Sequence, residues 1–143
     1  MSKLYYWDTS ALLSLVFQES SSKNIHSFVE KEKSLPAYTS FFTTIEMESA
    51  LHQRVAAGSL VSELTEIRLQ MKELQEGLAL IWPSSELLLV SCKKVMEFNL
   101  RPGDALQLAS SIALTGQGAA VCFVCLDERL NNSAKASHIQ CAF

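Results

Sequence analysis

Ala119-Ala120-Val121-Cys122-Phe123-Val124-Cys125-Leu126-Asp127 is an unbroken apolar run closed by an acid. Glycines at 116 and 118 bound it on the other side. A run of this length predicts a strand buried on both faces, as strands are in parallel sheets covered by helices. The C-x-x-C spacing of Cys122 and Cys125 invites a redox or metal reading. Residues three apart on a strand point to opposite faces, however, and no second ligand pair stands at zinc spacing. Together with Cys92 and Cys141 they are expected to be buried free thiols in a reducing compartment.

Outward from this strand, apolar runs and helical patterns alternate along the chain. Leu4-Tyr5-Tyr6-Trp7 reads as a first strand, followed by Asp8 and a short helix over Ala11 to Phe17. Glu19-Ser20-Ser21-Ser22 reads as a break and cap. A second helix carries Ile25, Phe28 and Val29 at helical spacing, with the charge run Glu30 to Lys33 at its solvated end. Leu35-Pro36-Ala37-Tyr38 reads as a second strand, with Pro36 at a sheet edge or at the strand start. Thr39 and Ser40 are expected to cap a third helix that runs to about Ala57 and stops at Gly58-Ser59. A fourth helix, about Leu60 to Gln75, would fold back on it as an antiparallel hairpin. Leu78 to Trp82 is a third strand, and about Glu86 to Glu97 a fifth helix capped by Ser84 or Ser85. Asn99 to Gly103 reads as a loop, after which Asp104 opens a sixth helix to about Leu114. Glu128 to Lys135 is a last short helix, and His138 to Ala142 an edge strand. This alternation argues an α/β protein with a parallel sheet.

At 143 residues the chain is long enough for one domain with a sizeable core. No apolar run reaches the length of a membrane span, and the start of the chain has no signal-peptide pattern, so a soluble cytoplasmic protein is expected. The net charge of −3 argues against nucleic-acid binding through bulk electrostatics. It leaves open an enzyme that holds a phosphodiester through metal ions and a few local arginines or lysines, because acids in a metal site count against the net charge.

Four acids stand where chemistry is expected. Asp8 and Asp127 each follow an apolar strand, Asp104 opens a helix, and Glu46 rides a partly apolar stripe of the third helix. Each has an ordinary reading as a cap or a helix-surface residue. Gathered at one sheet edge they would repel one another, and a hard divalent cation such as Mg²⁺ or Mn²⁺ would relieve this. Such a cation suits phosphodiester hydrolysis.

The sequence resembles the PIN-domain ribonucleases, specifically the VapC-type toxins of toxin–antitoxin pairs. The resemblance rests on Trp7-Asp8-Thr9-Ser10-Ala11-Leu12, Glu46-Met47-Glu48-Ser49-Ala50-Leu51, Leu100-Arg101-Pro102-Gly103-Asp104-Ala105-Leu106-Gln107-Leu108-Ala109 and Leu126-Asp127-Glu128-Arg129-Leu130-Asn131, and it spans nearly the whole chain. It implies a PIN-like three-layer α/β/α sandwich around a parallel sheet of about five strands. It further implies Asp8, Glu46, Asp104 and Asp127 as catalytic, metal-binding acids, an RNA substrate, a homodimer and a small VapB-like antitoxin. Glu48, about 200° round the helix from Glu46, should face elsewhere. Asp8, Asp104 and Asp127 should converge on one ion with Glu46 facing the same cleft, the cap role at Asp8 passing to Thr9 or Ser10. The hydroxyls of Thr9 and Ser10 are candidates for metal or phosphate contact. Arg101 reads as either a phosphate contact or a solvated loop residue, with Arg54 and Arg68 less supported. His26, His52 and His138 read as surface or packing residues. The alternative function is a catalytically inactive PIN-fold module that binds RNA or serves assembly.

Overall fold

The computed structural model of the chain describes residues 3–17, 22–32, 36–59 and 61–143. The expected break at 19–21, the end of the charge run at Lys33, Leu35 and Leu60 lie outside them. The elements run β1 (Lys3–Trp7), α1 (Thr9–Phe17), α2 (Ser22–Glu32), β2 (Ala37–Ser40), α3 (Phe41–Ala56), α4 (Leu64–Glu76), β3 (Ala79–Ile81), α5 (Ser85–Phe98), α6 (Pro102–Thr115), β4 (Ala120–Val124), α7 (Glu128–Ala136) and β5 (Gln140–Cys141).

All strand pairings are parallel, in the order β3-β2-β1-β4-β5. The chain steps from β1 outward to β2 and β3, then jumps back across β1 to β4 and β5. Right-handed crossovers made in opposite directions put their helices on opposite faces of the sheet. The alternation within each central strand shows the result. Tyr5 and Trp7 of β1 and Cys122 and Val124 of β4 pack with Leu12, Ile25, Met47 and Ile67 of α1 to α4. Leu4, Tyr6, Val121 and Phe123 face the other way, onto Ala105, Leu108, Leu130 and Ala134 of α6 and α7. The three-layer α/β/α sandwich is therefore present, and both cores meet at β1 and β4. Burying each of these large side chains contributes about 1.5–3 kcal/mol.

Several boundaries differ from the sequence reading, each for a local reason. Pro36 marks a strand start and not an edge: β2 lies between β1 and β3, and the Pro36 carbonyl accepts from Tyr5 N–H at 3.0 Å. Helix α3 does stop at Gly58. Ser59 N–H bonds Arg54 O and Gly58 N–H bonds Val55 O, a Schellman closure in which Gly58 takes a φ of 80°. The joint that follows is longer than a hairpin turn, because a 3₁₀ turn at Val61–Glu63 precedes α4. Helix α4 then leans on α1, with an exposed Arg68–Glu48 pair at 3.3 Å linking it to α3. Helix α6 begins two residues earlier than expected. Pro102 occupies its first position, where a missing N–H is harmless, so Asp104 is a first-turn acid and not the cap. Strand β4 ends at Val124, leaving Asp127 three residues beyond it.

Candidate metal centre at the sheet switch point

The strand order reverses between β1 and β4, and in open α/β sheets ligands bind beyond the strand ends at such a point. Asp8 follows β1 directly, and Asp127 follows β4 through Cys125 and Leu126. Glu46 comes from the middle of α3, and Asp104 from the first turn of α6.

Asp8 is 5% exposed. Its Oδ2 accepts from Ser10 Oγ–H at 2.6 Å, from Ser10 N–H at 3.1 Å and from the Cys125 thiol at 3.4 Å. Its carbonyl accepts from Ala11 and Leu12. Asp8 is thus itself the cap of α1, which corrects the expectation that Thr9 or Ser10 would take that role. The Ser10 hydroxyl also accepts from Leu126 N–H at 3.1 Å, and Cys125 Sγ accepts from Asp127 N–H at 3.3 Å. Two short relays therefore tie Asp8 to the loop after β4. Burial pushes the Asp8 carboxyl up to about 6, against the lowering effect of these donors, and nearby Glu46 adds to the rise.

Glu46 is half-buried. Its Oε1 accepts from Thr9 Oγ1–H at 2.8 Å and from Gln107 Nε2–H at 2.7 Å. Gln107, 1% exposed, also reaches Thr9 Oγ1 at 3.0 Å and Thr43 Oγ1 at 2.9 Å, while its Oε1 accepts from the Tyr6 phenol at 2.6 Å. Burial pushes that phenol well above its usual range, so it stays a donor. The hydroxyls of Thr9 and Ser10 are therefore engaged with Glu46 and Asp8. Beyond Oε1, Glu46 borders an open groove of about 290 Å³ along α3, over Phe42, Ile45 and Ser49.

Asp104 and Asp127 are half-buried. Burial raises the Asp104 carboxyl and Asp127 raises it further, while Arg101 and Arg129 oppose the rise. Arg101 Nε lies 3.9 Å from Asp104 Oδ2, and Arg129 is tethered to the Asn99 carbonyl at 2.6 Å. Asp127 Oδ1 caps α7 by accepting from Leu130 N–H at 3.2 Å. Asn131 holds the same loop through a bond from Nδ2 to the Cys125 carbonyl at 2.9 Å.

Two influences among the acids are resolved: Glu46 raises the Asp8 carboxyl, and Asp127 raises that of Asp104. Among the described residues, no group of three His, Cys, Asp or Glu side chains is arranged to hold a metal ion. The single-ion convergence expected from the sequence is not formed by the side chains as they stand. Donor chemistry nonetheless fits a hard cation. The four acids offer only oxygens, and Mg²⁺ needs one or two carboxylates because it keeps several waters. Among the described ion pairs none involves Asp8, Glu46 or Asp127. Gly103 leaves a gap at the start of α6: a Cβ there would stand 3.4 Å from Glu46 Oε2 and 3.2 Å from Phe42 Cε1.

Glu48 is exposed and bonded to Arg68, as its helical phase required. The three histidines are exposed. The four cysteines are free, with Cys122 and Cys125 on opposite faces, but Cys92 is exposed and Cys141 only half-buried. Sequence reasoning gave no role to Gln107, Tyr6, Thr43 or Cys125. The available signal was a lone glutamine inside the apolar stretch Ala105 to Ala109, one helical turn after Asp104.

No family model matches the chain, and no curated protein matches it. Solved structures do. The chain is similar in fold to VapBC2 from Rickettsia felis, solved bound to a DNA fragment from their promoter, at 11% identity over 96% of each chain and a TM-score of 0.69. PAE2754 from Pyrobaculum aerophilum matches at 17% identity over 94% of this chain and 89% of that one, with a TM-score of 0.64. VapBC-1 from nontypeable Haemophilus influenzae matches at 16% identity over 96% of each chain, with a TM-score of 0.62. At these identities the TM-scores show a shared α/β/α fold.

Proposed function

We propose that the chain is a VapC-type toxin: a metal-dependent endoribonuclease of the cytoplasm, active as a homodimer and restrained by a small VapB-like antitoxin. The observation that carries this reading is the placement of Asp8, Glu46, Asp104 and Asp127 around the switch point of a fold shared with VapBC proteins. Among the described residues no helix is long and apolar enough to cross a membrane.

Asp8, Asp104 and Asp127 would hold Mg²⁺ or Mn²⁺, with Glu46 completing the set. Such a cation, when bound, neutralises clustered carboxylates, polarises a phosphoryl oxygen and activates water for attack on phosphorus. The chain's own contribution is positional. Ser10 and Cys125 fix Asp8 against the loop that carries Asp127, and Gln107 and Thr9 fix Glu46. Arg101 and Arg129 stand beside Asp104 and supply the positive charge a phosphate backbone needs at an otherwise acidic rim. The same acidic rim would attract a basic side chain of the antitoxin.

The test is cleavage of RNA by the purified chain with Mg²⁺ or Mn²⁺, with and without EDTA, for the wild type and Asp104→Asn. The expected result is full activity only in the metal-loaded wild type, none with EDTA and a reduced rate in Asp104→Asn. Equal activity in every condition would end the metal mechanism. Absence of cleavage of any RNA would favour the inactive binding or assembly module. Growth arrest on expression, relieved by a neighbouring small gene, would support the toxin–antitoxin role.

A further inference from the structure

The Glu46 network contains more information than the four acids alone. Gln107 is the only residue of the described chain that bonds β1, α1 and α3 at once, through Tyr6, Thr9, Thr43 and Glu46. Its carboxamide has one workable orientation. Turned over, its oxygen would face Glu46 Oε1, acceptor against acceptor, and its NH₂ would face the Tyr6 phenol. As it stands, the phenol donates to Gln107 Oε1, and the two amide hydrogens are shared among three oxygens. The far side of the network is closed as well. Thr39 Oγ1 lies 2.7 Å from the Trp7 carbonyl and 2.7 Å from Thr43 Oγ1. When Thr39 donates its one proton to that carbonyl, Thr43 donates to Thr39 and accepts from Gln107. Every group facing Glu46 Oε1 is then a donor, so this oxygen is saturated by Thr9 and Gln107. Oε2 is the oxygen left, and it faces Gly103, where a Cβ would stand 3.4 Å away. Gly103 has no positive φ and sits inside α6, so its value there is space and not backbone freedom.

We infer that Gln107 is a positioning residue that saturates Glu46 Oε1 and so offers Oε2 to a divalent cation, and that Gly103 is the gap that keeps Oε2 reachable. The inference rests on the proposed metal-dependent reading and deepens it by dividing the two oxygens of Glu46 between a structural and a metal-facing role.

The experiment measures Mn²⁺ binding by calorimetry, without RNA, for the wild type, Gln107→Met, Tyr6→Phe and Gly103→Ala, alongside thermal unfolding. Loss of a residue that orients a ligand costs about 10–100-fold in metal affinity, the weakening expected for Gln107→Met. Tyr6→Phe keeps the ring and removes the phenol that fixes the amide, and should weaken Mn²⁺ by about 2–10-fold. It serves where Gln107→Met fails to fold. Gly103→Ala trades a better helix former against a Cβ 3.2 Å from Phe42 Cε1, and should bind Mn²⁺ more weakly while remaining folded. A merely structural Gln107 would lower the melting temperature and leave Mn²⁺ affinity untouched. Wild-type affinity in folded Gln107→Met or Tyr6→Phe overturns the role of Gln107, and wild-type affinity in Gly103→Ala overturns the gap. A wild type that binds no Mn²⁺ fails differently: the metal-site reading itself falls, and this inference with it.

Discussion

The four acids divide into a sheltered pair and an open pair. Asp8 and Glu46 are bonded by Ser10, Cys125, Thr9 and Gln107, side chains with little freedom because they lie in or against the two cores. Asp104 sits on the first turn of α6 and Asp127 at the cap of α7, both half in solvent, with Arg101 and Arg129 as neighbours of Asp104. The first pair is preorganised by its bonds, at Asp8 at the cost of burying charge. The second is accessible, and its charge can be offset by whatever approaches. A site built this way keeps a fixed floor and an adaptable rim, which suits a substrate that arrives as a long polyanion.

The comparison predicts that the floor is the more costly half to alter. Asp8→Asn keeps the shape and the cap but removes the charge, and RNA cleavage should fall by about 10²–10³-fold. Loss of cleavage in Asp104→Asn with retention in Asp8→Asn would reverse the assignment of floor and rim. A second effect follows from the raised Asp8 carboxyl. The folded chain holds this proton more tightly than the unfolded chain does. The stability Asp8 contributes is therefore fully present below pH 3.8 and lost as pH rises through about 6. In metal-free buffer, Asp8→Asn should gain about 3 kcal/mol on the wild type between pH 4 and pH 7 in denaturant titrations. A difference that stays flat with pH would mean Asp8 is not the strained acid.

The open pair gives smaller effects that separate two jobs of one residue. Asp127→Asn and Asp127→Ala should both slow cleavage, by less than Asp8→Asn does, but only the alanine variant loses the bond to Leu130 N–H. That costs about 1 kcal/mol of stability on thermal or chemical unfolding. Equal stability in the two variants would show that the cap carries no weight. Smallest is Arg101→Ala, whose exposed ion pair should leave stability within about 0.5 kcal/mol. Its KM for RNA should rise severalfold and the salt dependence should flatten, with kcat unchanged. An unchanged KM would make Arg101 a solvated helix-cap residue.

Much of the floor and rim was legible in the sequence because strand ends announce themselves. Asp8 and Asp127 follow apolar runs, and Glu46 is separated from Glu48 by helical phase alone. What was not legible depends on distant partners. Gln107 reads as one polar residue in an apolar helix until Tyr6 and Thr9, about a hundred positions earlier, are seen against it. The end of β4 was overrun because Cys125 and Leu126 are as apolar as the strand before them. Their departure is dictated by Ser10, Asp8 and Asn131, which no local pattern contains. The start of α6 was missed although Pro102 signals it, since Arg101-Pro102-Gly103 also reads as a loop.

The pairing of β1 with β4 also sets an order of events during synthesis. Ser10 waits for Leu126, 116 residues later, and Asp8 for Cys125, 117 residues later. At about 5–20 residues per second on the ribosome, the first strand emerges roughly 6–20 s before the partners that shape its acid. Until then Tyr6 and Trp7 lack the strand they lie against, and Asp8 has neither its thiol nor the loop that brings Asp127. On the proposed reading, a partly made toxin carries no assembled site until Cys125 to Asp127 have been made, and an antitoxin present in the cell has until then to be in place.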